Sequence, residues 1–201
     1  MIRVISADFA KSSPSIVEAL SEGVTEALFL GRSNVGKSSL INALCYKKQL
    51  AKSSSTPGKT RLINFFDIAY EDEKKEKFNA RFVDLPGFGY AKVSKEIKKT
   101  WEEALNTFIK KRVSARLFIH LIDARHTDLD IDKSVHVYIS SILRADQKIL
   151  NIYTKADKLT QKESSAIFRQ DKNALLVSAL KKSGIDAANE RIFSLLFGKE
   201  I

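Results

Sequence analysis

One cysteine is all that this chain of 201 residues contains, so an internal disulfide is excluded. Ile41, Ala43 and Leu44 beside it mark Cys45 as a buried structural thiol rather than a reactive one. Long apolar runs are missing too: no stretch approaches a membrane span, and Met1 to Ala10 is broken by Arg3 and Asp8 where a signal peptide would be apolar. A cytoplasmic protein without a membrane partner is expected, as a monomer. There is no internal repeat and no low-complexity tail. With 44% hydrophobic residues the chain reads as one domain over 1–201, residues 1–22 forming an N-terminal extension packed on it. Negative charge falls short: 24 Asp and Glu stand against 34 Lys and Arg, a formal charge of +10. A small phosphorylated ligand needs only about one or two cations, so a larger anionic partner, RNA foremost, is indicated. The cations are spread over Lys47-Lys48, Lys74-Lys75, Lys98-Lys99, Lys110-Lys111-Arg112 and Lys181-Lys182, a distributed basic surface rather than one reading helix.

Against this background one octapeptide stands out, Gly31-Arg32-Ser33-Asn34-Val35-Gly36-Lys37-Ser38, which fits the phosphate-loop pattern G-x-x-x-x-G-K-[ST]. Its glycines let the backbone fold around a phosphate with main-chain N–H groups turned inward, while Lys37 reaches the β- and γ-phosphates and the Ser38 hydroxyl offers an oxygen to Mg²⁺. The apolar run Ala27 to Leu30 before it predicts a buried strand. Leu40, Ile41 and Leu44 after it predict a helix whose positive end faces the nucleotide.

The remaining pattern alternates strands and helices. Ile2 to Phe9 is an expected edge strand, followed by a helix with Pro14 near its start, Ile16, Val17 and Leu20 on one face, and Gly23 at its end. Gln49 to Arg61 is a long polar connection of the kind that orders around a γ-phosphate. Thr60 and Thr56 both qualify as its sensor, and Thr60 is preferred because a strand follows it. Leu62 to Tyr70 and Phe78 to Asp84 form an antiparallel hairpin ending at Asp84-Leu85-Pro86-Gly87, where Asp84 organises Mg²⁺ and Gly87 donates its N–H to a γ-phosphate. Ser94 to Arg112 is an amphipathic helix buried through Ile97, Trp101, Leu105, Phe108 and Ile109. Leu117 to Asp123 is a central strand whose His120 reads as a satisfied core or strand-end histidine, and Asp132 to Leu143 is a helix. Lys148 to Tyr153 then delivers Thr154-Lys155-Ala156-Asp157. There the Asp157 carboxylate can accept from the N1–H and N2 amino groups of guanine, a donor pair adenine lacks, with the Lys155 stem along the base. Ala174-Leu175-Leu176-Val177 leads to Ser178-Ala179, whose Ala179 N–H can meet guanine O6, and an amphipathic helix over Ile185, Ala188, Ile192, Leu195 and Leu196 closes the chain. Strands alternating with helices, plus one hairpin, predict a three-layer α/β fold of the P-loop NTPase, small-GTPase type, its sheet mostly parallel with one antiparallel strand.

Five such elements in order resemble a translation-factor-class small GTPase of the TrmE-Era-EngA-YihA-Septin-like superfamily. Within it the phosphate loop, Thr56-Pro57-Gly58-Lys59-Thr60, Asp84 to Ala91 and Ile122-Asp123-Ala124-Arg125-His126 are similar to the EngB (YihA) family of bacterial ribosome-biogenesis GTPases. The resemblance covers nearly the whole chain. It departs at Arg61, where the family often has glutamine, and at Thr127, where proline is common. It implies GTP binding and hydrolysis, maturation of the large (50S) ribosomal subunit through rRNA or an assembly intermediate, and a historical link to septation and cell division. The implied nucleotide contacts are the phosphate loop, Gly58-Lys59-Thr60-Arg61-Leu62, Asp84-Leu85-Pro86-Gly87, Thr154-Lys155-Ala156-Asp157 and Val177-Ser178-Ala179. Mg²⁺ is held by Ser38 and Thr60, and by Asp84 through water; Lys37, Thr60 and Asn34 serve catalysis. Because Phe88 stands where many small GTPases carry a water-orienting glutamine, unaided hydrolysis is expected to be slow. Related GTPases use an asparagine at the position of Asn34 to help hold potassium, which is a candidate cofactor here. Arg125 and His126 stay open between a structural pairing at the strand end and a contact with RNA. An RNA-binding module with negligible turnover and an ATP-driven enzyme are the rival readings, the latter opposed by Asp157.

Overall fold

Strands that are apolar at every position can only lie in a sheet covered on both faces, and the centre of this structure is built that way. The computed structural model describes residues 2–52, 62–88, 103 and 106–199. Among them seven strands form one sheet in the order β1-β3-β4-β2-β5-β6-β7, with β1 Arg3–Ser13, β2 Thr25–Gly31, β3 Ile63–Glu71, β4 Lys77–Asp84, β5 Ala115–Asp123, β6 Lys148–Thr154 and β7 Leu175–Leu176. β1 and β4 each pair antiparallel with β3, and every other pairing is parallel, so β3 alone runs against the rest. The helices are α1 Lys37–Leu44, α2 Asp130–Ile142, α3 Gln161–Gln170 and α4 Ile185–Phe197, with residues 106–111 also helical.

Alternation along the strands divides the core into two layers. Ala27 and Phe29 of β2, with Leu117, Ile119 and Leu121 of β5, face α1 and α4; Leu28 and Leu30, with Phe118, face Phe108, Ile109 and Ile139 on the other side. Phe29 and Phe82 meet edge to face at 4.9 Å, a contact that adds about 1 kcal/mol to the burial of the two rings. Cys45 is buried among the residues facing α1 and α4, and burial pushes its thiol up to about 12, the inert state expected of it.

At the base of the sheet Glu26 is wholly buried and accepts two bonds from Arg112, Nε to Oε2 at 2.8 Å and Nη2 to Oε1 at 2.6 Å. Arg112 also donates to the Leu20 carbonyl at 2.7 Å, and Arg81 donates to that of Ser21 at 3.1 Å. These two contacts explain a difference from expectation. No helix forms at Pro14 to Leu20: Ser13 Oγ donates to the Ser15 carbonyl at 2.7 Å, a single turn follows, and the arginines take up the Leu20 and Ser21 carbonyls beyond it. Ile16 and Leu20 still pack on the core, but Val17 is 89% exposed. Three further differences concern extent. β7 is two residues long; α3 forms where no element is expected, opened by a Thr160–Glu163 capping box; and Phe193 joins the buried stripe of α4. Of the amphipathic helix expected from Ser94 to Arg112, Phe108 and Ile109 are buried as anticipated, whereas Ile97, Trp101 and Leu105 lie outside the described residues.

His120 is buried as expected, and the Asn151 side chain is the polar group within its reach, though neither ring nitrogen makes a hydrogen bond of good geometry among the described residues. Asp132 lies 3.9 Å from its Nε2, His136 stacks at 6.1 Å between ring centroids, and Asn151 is its neighbour on β6. Burial, and then His136, push the imidazole from 6.5 down to about 4. The ring is therefore neutral in the fold and protonated in the unfolded chain between those values, so the unfolded state binds more protons and stability falls as pH drops from 6.5 toward 4. The expected loss for this one group between pH 7 and pH 5 is about 2 kcal/mol. Urea unfolding of the parent and of His120→Leu at the two pH values checks it: the variant should lack that increment, and equal pH dependence would refute it.

Candidate nucleotide site

The parallel strands β4, β2 and β5 end at one edge, and the register decides what meets there. Phe29 of β2 lies opposite Asp84 of β4, Gly31 opposite Leu121 of β5, and Asp123 of β5 opposite Thr154 of β6. The order of the sheet reverses at β2, whose neighbours β4 and β5 both come later in the chain, and crevices of that kind receive ligands in open α/β sheets.

The loop leaving β2 turns into α1 through two left-handed residues, Asn34 at φ 64° and Gly36 at φ 101°. That sequence of conformations turns successive amides to one side, a concavity suited to an anion. Val35 N–H donates to the Arg32 carbonyl at 3.2 Å, and Leu40 N–H to that of Gly36 at 2.8 Å. Gly31 is required by close approach: a Cβ there would lie 2.8 Å from Val35 Cγ1 and 3.1 Å from Leu121 Cβ. α1 carries no acidic residue in its first turn, so its positive end is left for an anionic ligand. Lys37, 12% exposed, reaches across the loop to the Asp84 carboxylate, 5% exposed. The segment after Asp84 is fastened to the loop, Phe88 N–H donating to the Gly31 carbonyl at 3.2 Å and Ser33 N–H to that of Phe88 at 3.1 Å. The Phe88 ring packs with the α2 layer, its centroid 6.3 Å from that of His120.

The second half of the site is stapled to the first. Thr154 Oγ1, fully buried, donates to the Val35 carbonyl at 2.6 Å, and Lys155 Nζ donates to the Asn34 carbonyl at 2.6 Å and to Asp123 Oδ2 at 2.8 Å. Ala156 N–H donates to the Val177 carbonyl at 3.1 Å, joining the Thr154–Asp157 loop to the one after β7. Ser178 Oγ donates to Asp157 Oδ1 at 2.6 Å; this bond above all holds the Asp157 carboxyl below its ordinary range, ionised and acceptor-only at neutral pH. The Ala179 N–H donates to none of the described residues.

The structure thus brings Gly31 to Ser38, Asp84 to Gly87, Thr154 to Asp157 and Val177 to Ala179 to one edge. Thr56 and Gly58 to Arg61 lie outside the described residues, and Leu62, just inside them, is 40% exposed. The Ser38 hydroxyl and the Asp84 carboxylate are hard oxygen donors beside the loop lysine, a set suited to Mg²⁺, which keeps several of its waters and takes few protein ligands. Two side chains escaped the sequence reading as parts of the site. Asp123 ties Lys155 to Arg125, and Asp132 Oδ2 accepts from Arg32 Nε at 3.0 Å, so the Arg32 side chain lies toward α2; Thr154, expected beside the nucleotide, pins the phosphate loop. Of the two only Asp123 left a trace, an acidic residue ending an apolar strand as Asp84 does.

Residues 26–162 match the family described as "50S ribosome-binding GTPase". A relative from Campylobacter lari, called probable GTP-binding protein EngB, is 54% identical over 98% of this chain and its own full length; one from Aliarcobacter butzleri under the same name is 46% identical over 97% of this chain and 98% of its own. Among solved structures, a probable GTP-binding protein engB superposes with a TM-score of 0.64 at 23% identity, covering 87% of this chain and all of that one. Era in complex with MgGDPNP and nucleotides of 16S ribosomal RNA superposes at 0.61 and 20% identity, covering 90% of this chain and 59% of that one, a likeness of fold. With the phosphate loop, the Asp84 strand end and the Asp157 loop in place on this sheet, the chain belongs to the EngB family of GTP-binding proteins.

Proposed function

We propose that the chain is a GTP-hydrolysing switch acting in assembly of the large ribosomal subunit, on rRNA or a subunit precursor, as a cytoplasmic monomer with the family's historical link to septation. The observation that carries the guanine part is the Ser178–Asp157 bond, which holds an ionised carboxylate at the nucleotide edge, where it can accept from guanine and has no donor for adenine. The family description, a ribosome-binding GTPase, and the +10 charge support the ribosomal part. No helix among the described residues is long and apolar enough to cross a membrane.

In this reading the loop amides and α1 bind the phosphates, and Lys37 exchanges its contact with Asp84 for the β- and γ-phosphates, neutralising charge that develops on the transferred phosphoryl group. Ser38 and Thr60, with Asp84 through water, would hold Mg²⁺, which would supply further neutralisation of the phosphate charge. Gly87 and Thr60 report the γ-phosphate. Phe88 orients no water: its ring belongs to the α2 layer and its backbone is bonded to the loop. The missing organisation is assigned to potassium at Asn34, an exposed residue whose backbone carbonyl is already held by Lys155.

Three outcomes are expected. Asp157→Asn should lose GTP affinity on the order of 10²-fold or more and gain xanthine nucleotide, since two charge-assisted bonds are lost; calorimetric titration with both nucleotides measures it, and unchanged GTP binding refutes the guanine assignment. GTP turnover should be faster in potassium than in sodium by about tenfold or more, below the 10³- to 10⁵-fold that a cationic finger supplies, and Asn34→Ala should remove the difference. Equal rates in both salts, with and without ribosomal particles, would sink the potassium role and leave GTP hydrolysis standing. Cosedimentation with large-subunit particles should favour GTP over GDP and weaken by more than about tenfold between 50 and 200 mM salt; binding indifferent to both would remove the ribosomal reading.

A further inference from the structure

The Ile122 to His126 stretch holds an arrangement that the nucleotide chemistry leaves unused. Asp123 ends β5 at 4% exposure, and its carboxylate accepts four bonds. Oδ1 takes Arg125 Nε at 2.9 Å and the Arg125 backbone N–H at 3.1 Å; Oδ2 takes Arg125 Nη2 at 2.7 Å and Lys155 Nζ at 2.8 Å. Burial raises the Asp123 carboxyl, but the bonded guanidinium and ammonium outweigh it and hold the group well below the usual carboxylate range. Were Arg125 the only partner, this would be a turn pairing between neighbours two residues apart. Lys155 makes it more, because it arrives from β6 and its other bond, at 2.6 Å, is to the Asn34 carbonyl inside the phosphate loop.

We propose that Asp123 is a positioning residue of the nucleotide site: it fixes the Lys155 ammonium against the phosphate loop, locking base and phosphate subsites into one geometry, with Arg125 as the outer clamp on the same carboxylate. The proposal rests on the guanine-nucleotide reading above. Lys155 has four rotatable carbons and a left-handed backbone at φ 59°, a conformation disfavoured for a side chain with a Cβ, so its stem has no intrinsic reason to lie along a base. Two acceptors at its tip supply that reason. Without Asp123 the ammonium keeps one carbonyl, and the stem that covers the base is free to leave it. Arg125, 43% exposed, is also close enough to Asp157 to feel its charge. Its pairing is structural, and contact with RNA is not needed to account for it.

The test is a double-mutant cycle on the full chain with GDP as the probe, read by titration calorimetry, alongside thermal unfolding without nucleotide. Lys155→Ala should weaken GDP by about tenfold or more, Asp123→Asn by about tenfold with an unfolding midpoint near the parent's, and the double variant no more than Lys155→Ala alone. Arg125→Ala should cost less than Asp123→Asn. Parent-like GDP binding by Asp123→Asn, or losses that multiply in the double variant, would overturn the proposal while Lys155 keeps its place. Parent-like binding by Lys155→Ala would overturn the proposal, while the guanine reading is decided separately by Asp157→Asn. If Asp123→Asn does not fold, Asp123→Glu decides by the same cycle: it keeps the charge but overshoots the ammonium, and should lose GDP affinity severalfold in the parent and nothing further in Lys155→Ala.

Discussion

The register of β2 between β4 and β5 is the constraint on which the rest of the site depends. Because both neighbours run parallel to it, three strand ends open on the same edge, and Asp84, the phosphate loop and Asp123 are delivered side by side from remote parts of the sequence. A one-residue slip of β2 would turn Phe29 to the α2 layer and carry Gly31 away from Leu121, where a Cβ already has no room. Packing on both faces enforces the register: Ala27 and Phe29 are held by α1 and α4, Leu28 and Leu30 by the layer of α2. The chemistry at the top of the sheet is therefore specified by apolar side chains that never touch it.

The lower end of β2 is fixed by different means. Glu26 is buried with Arg112 as its bidentate partner, and the Arg112 guanidinium lies 5.4 Å from the Phe65 ring centroid and 5.5 Å from that of Phe108. Such a pair adds little over apolar residues of the same shape, but removal of Glu26 would leave the buried Arg112 charge without its bidentate partner and cost about 3–5 kcal/mol, whereas Glu26 would keep Arg81 at 3.5 Å if Arg112 were removed. Its value is in what it joins: β2, the end of the helical residues 106–111, and the Leu20 carbonyl of the segment leading in from β1. That segment consequently gives up the helix its apolar spacing suggests.

What could be read in the sequence follows from how local each cause is. The phosphate loop, the Asp84 strand end and the Asp157 loop are contiguous stretches whose chemistry needs those residue types in that order, and the strands around them are short apolar runs. The turn at Pro14 to Leu20 is decided by Arg81 and Arg112, about 60 and 90 residues away, so spacing alone misreads it. α3 was missed: its Thr160–Glu163 capping box is a local start signal, but its polar composition gives only Ile167 to the core, too weak an apolar stripe to stand out. Lys155 was expected from the sequence to lie along a base, but its anchor was not legible, because the Asp123 bond crosses between strands 32 residues apart.

Phe88 joins the phosphate loop to the α2 layer. A residue placed where other GTPases carry a polar side chain has its ring in the α2 layer and its backbone bonded to Gly31 and Ser33. Asp132, at the start of α2, holds Arg32 of the same loop and lies 3.9 Å from Nε2 of His120, whose ring sits beside Phe88 and His136. The rear of the phosphate loop is thus bonded to one helix through a charged pair and to one strand end through paired amides. Any shift of the loop must carry Phe88 and Arg32 with it, and packed interiors do not deform continuously. The loop can therefore move only by repacking this layer as a unit, with Arg32, Phe88 and their neighbours on α2 shifting together.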